Sequence, residues 1–373
     1  MTTPEPKLKT GRSVKAIFGK LFFNQLLIPL VALLFLVILN LFADPAFFKI
    51  TLEKSSTGFY ILSGNLISII DNGSELAILA IGMTLVTAAS GGQDISVGSA
   101  IAIAGSIVLR VIKGLSPSIS GGELALYLIF AFVLCIIVSA LFGAFNGALV
   151  AFFKIQPMVA TLILFTAGRS IAAWINNNEN ISINDDRFKY FGNFLPGIPV
   201  PTPVFISAIC MIVIAVVLKF TNLRLYSQAV GINSSSSRLN GINPKMIKLL
   251  TFIILGVCVA VCGFIKVSRT ASITYAVIAN NIEMDAILAV ALGGNNLGGG
   301  KFNMTASIIG AYVIQFLTTT LFKFKVSSTA ISAYKAVVVI FLIILSAPVV
   351  RRGLSNLKNK YIASRSQVKK EGV

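Results

Sequence analysis

The sequence predicts an all-α polytopic membrane protein of about ten transmembrane helices, with glycine-rich broken or half-helices in two places. Three observations lead there. Hydrophobic residues make up 56% of the 373 and charged residues only 12%, about half the charge of a soluble domain, and the mean hydropathy is +0.88. Apolar runs of roughly 17–25 residues, the length that crosses a bilayer, recur along the whole chain. Two of these runs stop at matching eight-residue breaks, Gly91-Gly92-Gln93-Asp94-Ile95-Ser96-Val97-Gly98 and Gly293-Gly294-Asn295-Asn296-Leu297-Gly298-Gly299-Gly300. Each break carries Gly, Gly, an amide, Asp or Asn, Ile or Leu, and a final Gly. Non-helical backbone survives in a bilayer only where it is buried in protein or lines a cavity, and paired glycine-interrupted spans in two halves of a chain point to a transport path near the membrane midplane. A single such break favours close packing by small residues. Two that match favour a path containing Gly91, Gly92, Gln93, Asp94, Ser96, Gly98, Gly293, Gly294, Asn295 and Asn296.

In chain order, the first span is expected at about 22–42, too long for a signal peptide and without a small-x-small cleavage site. Residues 43–72 are polar and slightly acidic, with Tyr60 to Ile70 lying along the interface. Spans two and three, about 75–90 and 96–112, flank the first break. The run 123–153 is long for one span, so it tilts or extends into water. Pro157 opens the next span, which ends near Ile175. A polar segment, 176–200, precedes spans at 202–219 and 249–267. The remaining apolar runs are 284–294, short and a candidate half-helix, then 303–322 and 329–349.

Charge fixes the expected sidedness. The formal net charge is +18, and Lys and Arg gather in residues 1–20, 219–248 and 351–373. By the positive-inside rule these three segments face the cytoplasm, which makes nucleic acid an unneeded partner. Ten crossings put both termini inside and 43–72 and 176–200 outside. The whole chain, 1–373, reads as one transmembrane domain with a cytoplasmic N-terminal tail (1–20), a cytoplasmic loop (220–248) and a basic cytoplasmic C-terminal tail (351–373). No polar stretch is long enough for a soluble enzyme domain. Within the loop, Asn233 is a candidate N-cap and Gly241 or Asn243-Pro244 a stop, framing a surface helix of about eight residues. It is a plain connection or a docking element for a cytoplasmic partner.

Catalytic chemistry is not written in the chain. Histidine is absent, which excludes histidine-based triads and the usual titrating relay of proton pumps. Cys258 and Cys262 share a helix face but have no nearby ligand partner, so no metal site is expected. Asn295 to Lys301 looks like a phosphate-binding loop, but Asn295 and Phe302 stand where Gly and Ser or Thr are required. Asp94, Arg110, Arg169, Lys266, Glu283, Asp285 and Lys335 lie in or near spans, where charge is costly. Most sit close enough to a span end to snorkel, Glu283 and Asp285 suit a helix N-terminus, and Asp94 is the one with a role beyond structure.

Gly82-Met83-Thr84 through Gly91-Gly92-Gln93-Asp94-Ile95-Ser96-Val97-Gly98-Ser99 resembles the GMT…GGIDLSVGS signature of the permease subunits of ATP-binding-cassette sugar importers of the ribose/galactose/xylose type. Tyr226 to Ile242 is similar to the coupling segment of that family, with Ser234 to Ser237 in place of its Ala-rich face. Asp285 to Leu321 resembles its C-terminal signature, nearest to galactofuranose-type permeases. The resemblance covers about residues 75–350. It implies a multi-pass permease of about ten spans in the bacterial plasma (inner) membrane, paired with a second permease copy or paralogue. It further implies a cytoplasmic ATPase that carries ATP and Mg, with no cofactor on this chain, and an extracytoplasmic solute-binding protein. Gly231, Asn233, Arg238, Leu239 and Gly241 are then the ATPase-coupling residues, and a monosaccharide is the cargo. The competing expectations are a nucleoside or other small polar solute in the same importer class, an ion-coupled secondary transporter, and a non-transporting membrane scaffold.

Overall fold

The structure, a computed structural model, describes residues 26–54, 58–115 and 121–346. The basic tails at 1–20 and 351–373 lie outside these residues. Twelve helices of six or more residues are described: α1 (Leu27–Ala43), α2 (Asn65–Ser90), α3 (Val97–Leu115), α4 (Gly121–Ala151), α5 (Pro157–Ile175), α6 (Thr202–Phe220), α7 (Leu223–Ile232), α8 (Ser234–Leu239), α9 (Pro244–Thr270), α10 (Ile282–Leu292), α11 (Met304–Lys323) and α12 (Ser328–Ser346). Seven of them, α2 to α6, α9 and α11, are long and apolar enough to cross a membrane, and shorter apolar stretches lie in α1 and α12. The chain is thus a mostly helical polytopic protein.

Two small antiparallel pairs interrupt the all-α expectation: β1 (Thr51–Lys54) with β2 (Tyr60–Ser63), and β3 (Ile181–Ser182) with β4 (Ser272–Ile273). Both lie at one end of the bundle, called here the β end. The opposite end carries Lys154, Arg238 and Lys245 and is called the basic end. Residues Tyr60 to Ile70 are not one continuous element. Tyr60 to Ser63 form β2, and α2 starts at Asn65, ten residues before the expected span.

Helix starts follow local chemistry. Proline stands in the first turn of α5, α6 and α9, where its missing N–H is no loss and its φ is already helical. Asn243 caps α9 by accepting from the N–H groups of Lys245 and Met246. α2 and α9 form the centre. Their facing sides bury Leu76 to Ala89 and Cys258 to Ile265 almost completely, and Gly82 admits Leu255 and Cys258 so closely that a Cβ would sit 2.8 Å from Leu255 Cδ1. Around this core, α4, α5 and α6 leave rows such as Phe130, Leu141, Ile163 and Ile209 exposed. Apolar exposure of that extent suits a lipid-facing surface and would be a liability in water.

α10 has only 11 residues, about 16 Å at 1.5 Å per residue, roughly half of a bilayer core. The chain nevertheless passes from the β end to the basic end here. Non-helical backbone from Thr274 to Asn281 makes up the remainder.

Candidate functional site

The two glycine breaks come together at the basic end. α2 stops at Ser90 because Gly91 adopts φ +69°, a left-handed cap that glycine takes without steric cost, and its N–H closes onto the Thr87 carbonyl at 3.1 Å. The missing Gly91 side chain leaves room for the second break. A Cβ there would lie 2.9 Å from the Gly298 oxygen, and one on Gly299 would lie 3.0 Å from Gly91 Cα. The Gly300 N–H donates to the Ala88 carbonyl at 3.0 Å, and the Gln93 side chain donates to the Leu297 carbonyl at 2.9 Å. α7 closes the cluster. Gly231 rests on the Ala88 carbonyl and the Gly300 N–H with no space for a side chain. Sequence distances of more than 200 residues are thereby reduced to backbone contact between both breaks and the α7–α8 element.

From this cluster the chain turns back into the bundle. The Asp94 N–H reaches Met83 Sδ at 3.5 Å, and the Ile95 N–H donates to Thr161 Oγ1 at 3.2 Å. Asp94 is 4% exposed. Its carboxylate accepts from the Ser96 N–H (2.8 Å), Ser96 Oγ (2.6 Å) and Asn146 Nδ2 (3.3 Å), while Asn146 Nδ2 also donates to Ser96 Oγ at 3.0 Å. This network starts α3 well inside the molecule. Beside it is a cavity of about 10 Å³ lined in part by Asp94, Ser96, Ser139 and Asn146, into which one water fits. Asn146 Oδ1 and Ser139 Oγ are buried there without a partner. Gly98 lies against the Ala279 carbonyl and the Glu283 carboxylate.

The second break is organised in the same manner by its amide. Asn295 donates to Ser307 Oγ at 2.7 Å and accepts the Asn303 N–H at 2.7 Å, and Thr84 of α2 donates to Ser307 Oγ at 2.8 Å. Gly293 packs on the backbone of Ala306 and Ser307, Gly294 takes φ +71°, and Gly92 meets the Pro157 ring. Asn296 is exposed and folds back onto Gly298 and Gly299. Of the ten path residues expected from sequence, Gly91 and Asn296 are exposed, Gly294 is half-buried and the other seven are buried. Asp94, Ser96 and Gly98 lie further into the bundle than the cluster, against Asn146, Ala279 and Glu283.

The five coupling residues lie on α7–α8 and its exit. Asn233 caps α8 by accepting the Ser236 N–H at 2.9 Å, as the sequence predicts, but α8 has six residues rather than eight, and α7 before it was not foreseen. Arg238 is exposed, Leu239 is 90% exposed, and Gly241 leaves the helix at φ +80°. Between α8, the start of α9 and the α4–α5 turn lies a cavity of about 850 Å³ bordered by Lys154, Arg238, Lys245 and Lys248 and by no acidic side chain.

The partners of several ionic groups escaped the sequence reading. Arg269 pairs with Asp71 at 2.6 Å and Glu75 at 2.8 Å, and Lys266 holds the other Glu75 oxygen at 2.6 Å. The signal was present in the i, i+4 spacing of Asp71 and Glu75 and the i, i+3 spacing of Lys266 and Arg269, which puts each pair on one helix face. Arg169 does not snorkel. Its Nη1 donates to the carbonyls of Tyr275, Ala276 and Ile278 at 2.9, 3.0 and 3.1 Å. Lys335 pairs with Asp285 at 2.7 Å. No group of three or more metal-ligating side chains occurs among the described residues.

A family model described as branched-chain amino acid transport system / permease component matches residues 65–347. The chain is 36% identical over 326 residues to the galactofuranose transporter permease protein YtfT of Escherichia coli (strain K12), covering 85% of this chain and 88% of that one. It is 32% identical over 346 residues to the fructose import permease protein FruF of Bifidobacterium longum (strain NCC 2705), with 91% and 93% covered. To the ribose import permease protein RbsC of Escherichia coli (strain K12) it is 32% identical over 341 residues, with 89% and 98% covered. No solved structure matches the chain significantly.

Proposed function

This chain belongs to the family described as branched-chain amino acid transport system / permease component, and from that membership we propose that it is the membrane permease subunit of an ATP-binding-cassette importer for a carbohydrate. The observation that carries the cargo is the likeness, over most of the chain, to permeases whose names specify galactofuranose, fructose and ribose. The family description itself speaks of branched-chain amino acids, so leucine belongs in any panel of solutes. The chain contributes passage, not chemistry. ATP and Mg bind to a cytoplasmic ATPase subunit, and an extracytoplasmic binding protein delivers the solute to a pair of permeases.

In this reading the protein crosses the bacterial plasma membrane ten times, the traverse by 271–292 being half loop and half helix, and both termini and α7–α8 are cytoplasmic. The paired breaks form the cytoplasmic gate of the path. Support for a gate comes from Gly231, whose contact with the Ala88 carbonyl and Gly300 N–H leaves no intervening side chain to absorb movement. A displacement of α7–α8 by the ATPase therefore shifts both breaks together. Asp94 and Asn295 hold the two rims by hydrogen bonds to Ser96, Asn146 and Ser307.

Exposed Arg238 and Leu239 are the docking contacts in this reading. Replacing them with Glu and Ser is expected to abolish sugar-stimulated ATP hydrolysis by the copurified importer, with the amount of permease in the membrane unchanged. Hydrolysis that stays coupled to sugar in this variant would reduce α8 to a connector.

A further inference from the structure

The segment from Thr274 to Asn281 is backbone that a lipid bilayer does not tolerate on its own, yet it is set at depth along the bundle axis, between the two ends. Its start lies beside Gly105, where a Cβ would be 3.2 Å from Ile273 Cδ1, and its end touches Gly98 through the Ala279 carbonyl. α3 runs from Val97 inside the molecule to Leu115 at the β end, so passing from Gly105 to Gly98 means descending about 10 Å. Arg169, which pins three carbonyls of the segment, is about 18 Å beyond Pro157 at the basic end of α5. Both measures put the segment within the apolar slab.

Thr274, Ala276, Val277, Asn280 and Asn281 are nevertheless exposed. The peptide N–H groups of Ala276, Ala279 and Asn281 have no acceptor among the described residues, and neither side-chain amide of Asn280 and Asn281 makes a hydrogen bond there. Facing lipid, such groups would be left unsatisfied, which membrane proteins avoid; they are stable at that depth only against water, solute or more protein. Asn281 holds φ +64°, so its amide is presented from a fixed turn, which Arg169 anchors from behind.

We propose that residues 274–281 line the solute path at membrane depth and that the amides of Asn280 and Asn281 hydrogen-bond the hydroxyl groups of a polyhydroxylated solute in transit. Each amide offers two donors and an acceptor, the complement of vicinal hydroxyls, and the segment ends on Gly98, where the proposed gate begins. The inference rests on the carbohydrate-import reading for the identity of the solute, but not for the existence of the water-filled path.

The test uses the assembled importer in native membranes. Asn280→Cys, in a background whose four buried or half-buried native cysteines are replaced by Ala, is expected to react with a membrane-impermeant cationic methanethiosulfonate and to be protected by D-ribose, D-fructose or D-galactose. Asn281→Gly removes the amide while keeping the left-handed backbone unstrained, and with Asn280→Ala it is expected to lower sugar uptake on the order of tenfold at unchanged permease level. A cysteine that stays unreactive means the segment is covered by a second permease copy or by lipid, and overturns the path. Uptake unaffected in the double variant overturns the amide contacts. Reaction with protection by leucine or a nucleoside, and by no sugar, keeps the path and removes the carbohydrate reading instead.

Discussion

Asp94 shows how one buried side chain sets the course of the backbone. Its carboxylate satisfies the Ser96 N–H and hydroxyl and meets the Asn146 amide, so the chain leaves the glycine cluster, re-enters the bundle and starts α3 there. Asn in its place presents its NH₂ either to the Asn146 NH₂ or to the Ser96 N–H. Asp94→Asn is therefore expected to destabilise the permease by about 1–3 kcal/mol, the cost of leaving buried polar groups unpaired. The exchange Asp94→Asn with Asn146→Asp restores one acid facing one amide and is expected to recover part of that loss. Detergent-solubilised thermal unfolding of the two single variants and the double variant measures the coupling, and strictly additive effects would remove the pair as the cause. Asp94 stood out in the sequence because it is an acid between two apolar half-segments. Asn146 did not, since one amide in a 31-residue apolar helix carries no sign of which residue it faces.

At the scale of elements, helix boundaries marked by local chemistry were legible and those set by distant partners were not. Proline at the start of α5, the Asn233 cap and the Gly91 stop all work within one helical turn, whereas Asn243-Pro244, read as a stop, opens α9 five residues before the expected span. The start of α2 does not. Asp71, Asn72 and Glu75 look like a surface segment until Arg269 and Lys266 arrive from α9 to neutralise them, and only then is a helix through residues 65–75 compatible with burial. The traverse from Thr274 to Leu292 was half-legible for the same reason, since 11 helical residues signal a span weakly and Arg169 supplies what the loop lacks. α7 illustrates the reverse case, where one small residue fixes how an element docks. A methyl on Gly231 would overlap the Ala88 carbonyl, so Gly231→Ala is expected to lift α7 from the paired breaks. The expected readout is sugar uptake reduced on the order of tenfold or more, with ATP hydrolysis still present but no longer responsive to sugar. Tight packing costs about 1–3 kcal/mol when overfilled, so membrane yield is measured alongside. Uptake falling only in proportion to yield would make the contact structural.

The whole molecule is defined by which side each end faces, and the bundle makes this a single question. α1, α3, α5 and α9 finish at the end that carries both strand pairs, where Asp44 meets Lys323 at 3.0 Å and Lys113 approaches Glu179 at 4.0 Å. α2, α4, α6 and α10 finish at the opposite end, with the glycine cluster and α7–α8. Once one loop is assigned, every other described loop follows. The ends differ in charge in the way the positive-inside rule requires: Lys154, Arg224, Arg238, Lys245 and Lys248 cluster at one, whereas the segment 176–200 at the other mixes Glu179, Asp185 and Asp186 with Arg187 and Lys189. We propose on this basis that the basic end faces the cytoplasm. Ser235 of α8 and Asn178 before β3 are both exposed and lie at opposite ends. A single cysteine at Ser235 is expected to react with an impermeant thiol reagent only in inside-out vesicles, and one at Asn178 only in intact spheroplasts. The loop-and-half-helix traverse is part of the same test, because Asn178 lies before it and Ser327, between α11 and α12, lies after it. With 271–292 counted as a crossing, a cysteine at Ser327 labels from the same side as Asn178. Labelling of Ser327 together with Ser235 would mean that this segment turns back inside the membrane, and the ten-crossing arrangement would be wrong.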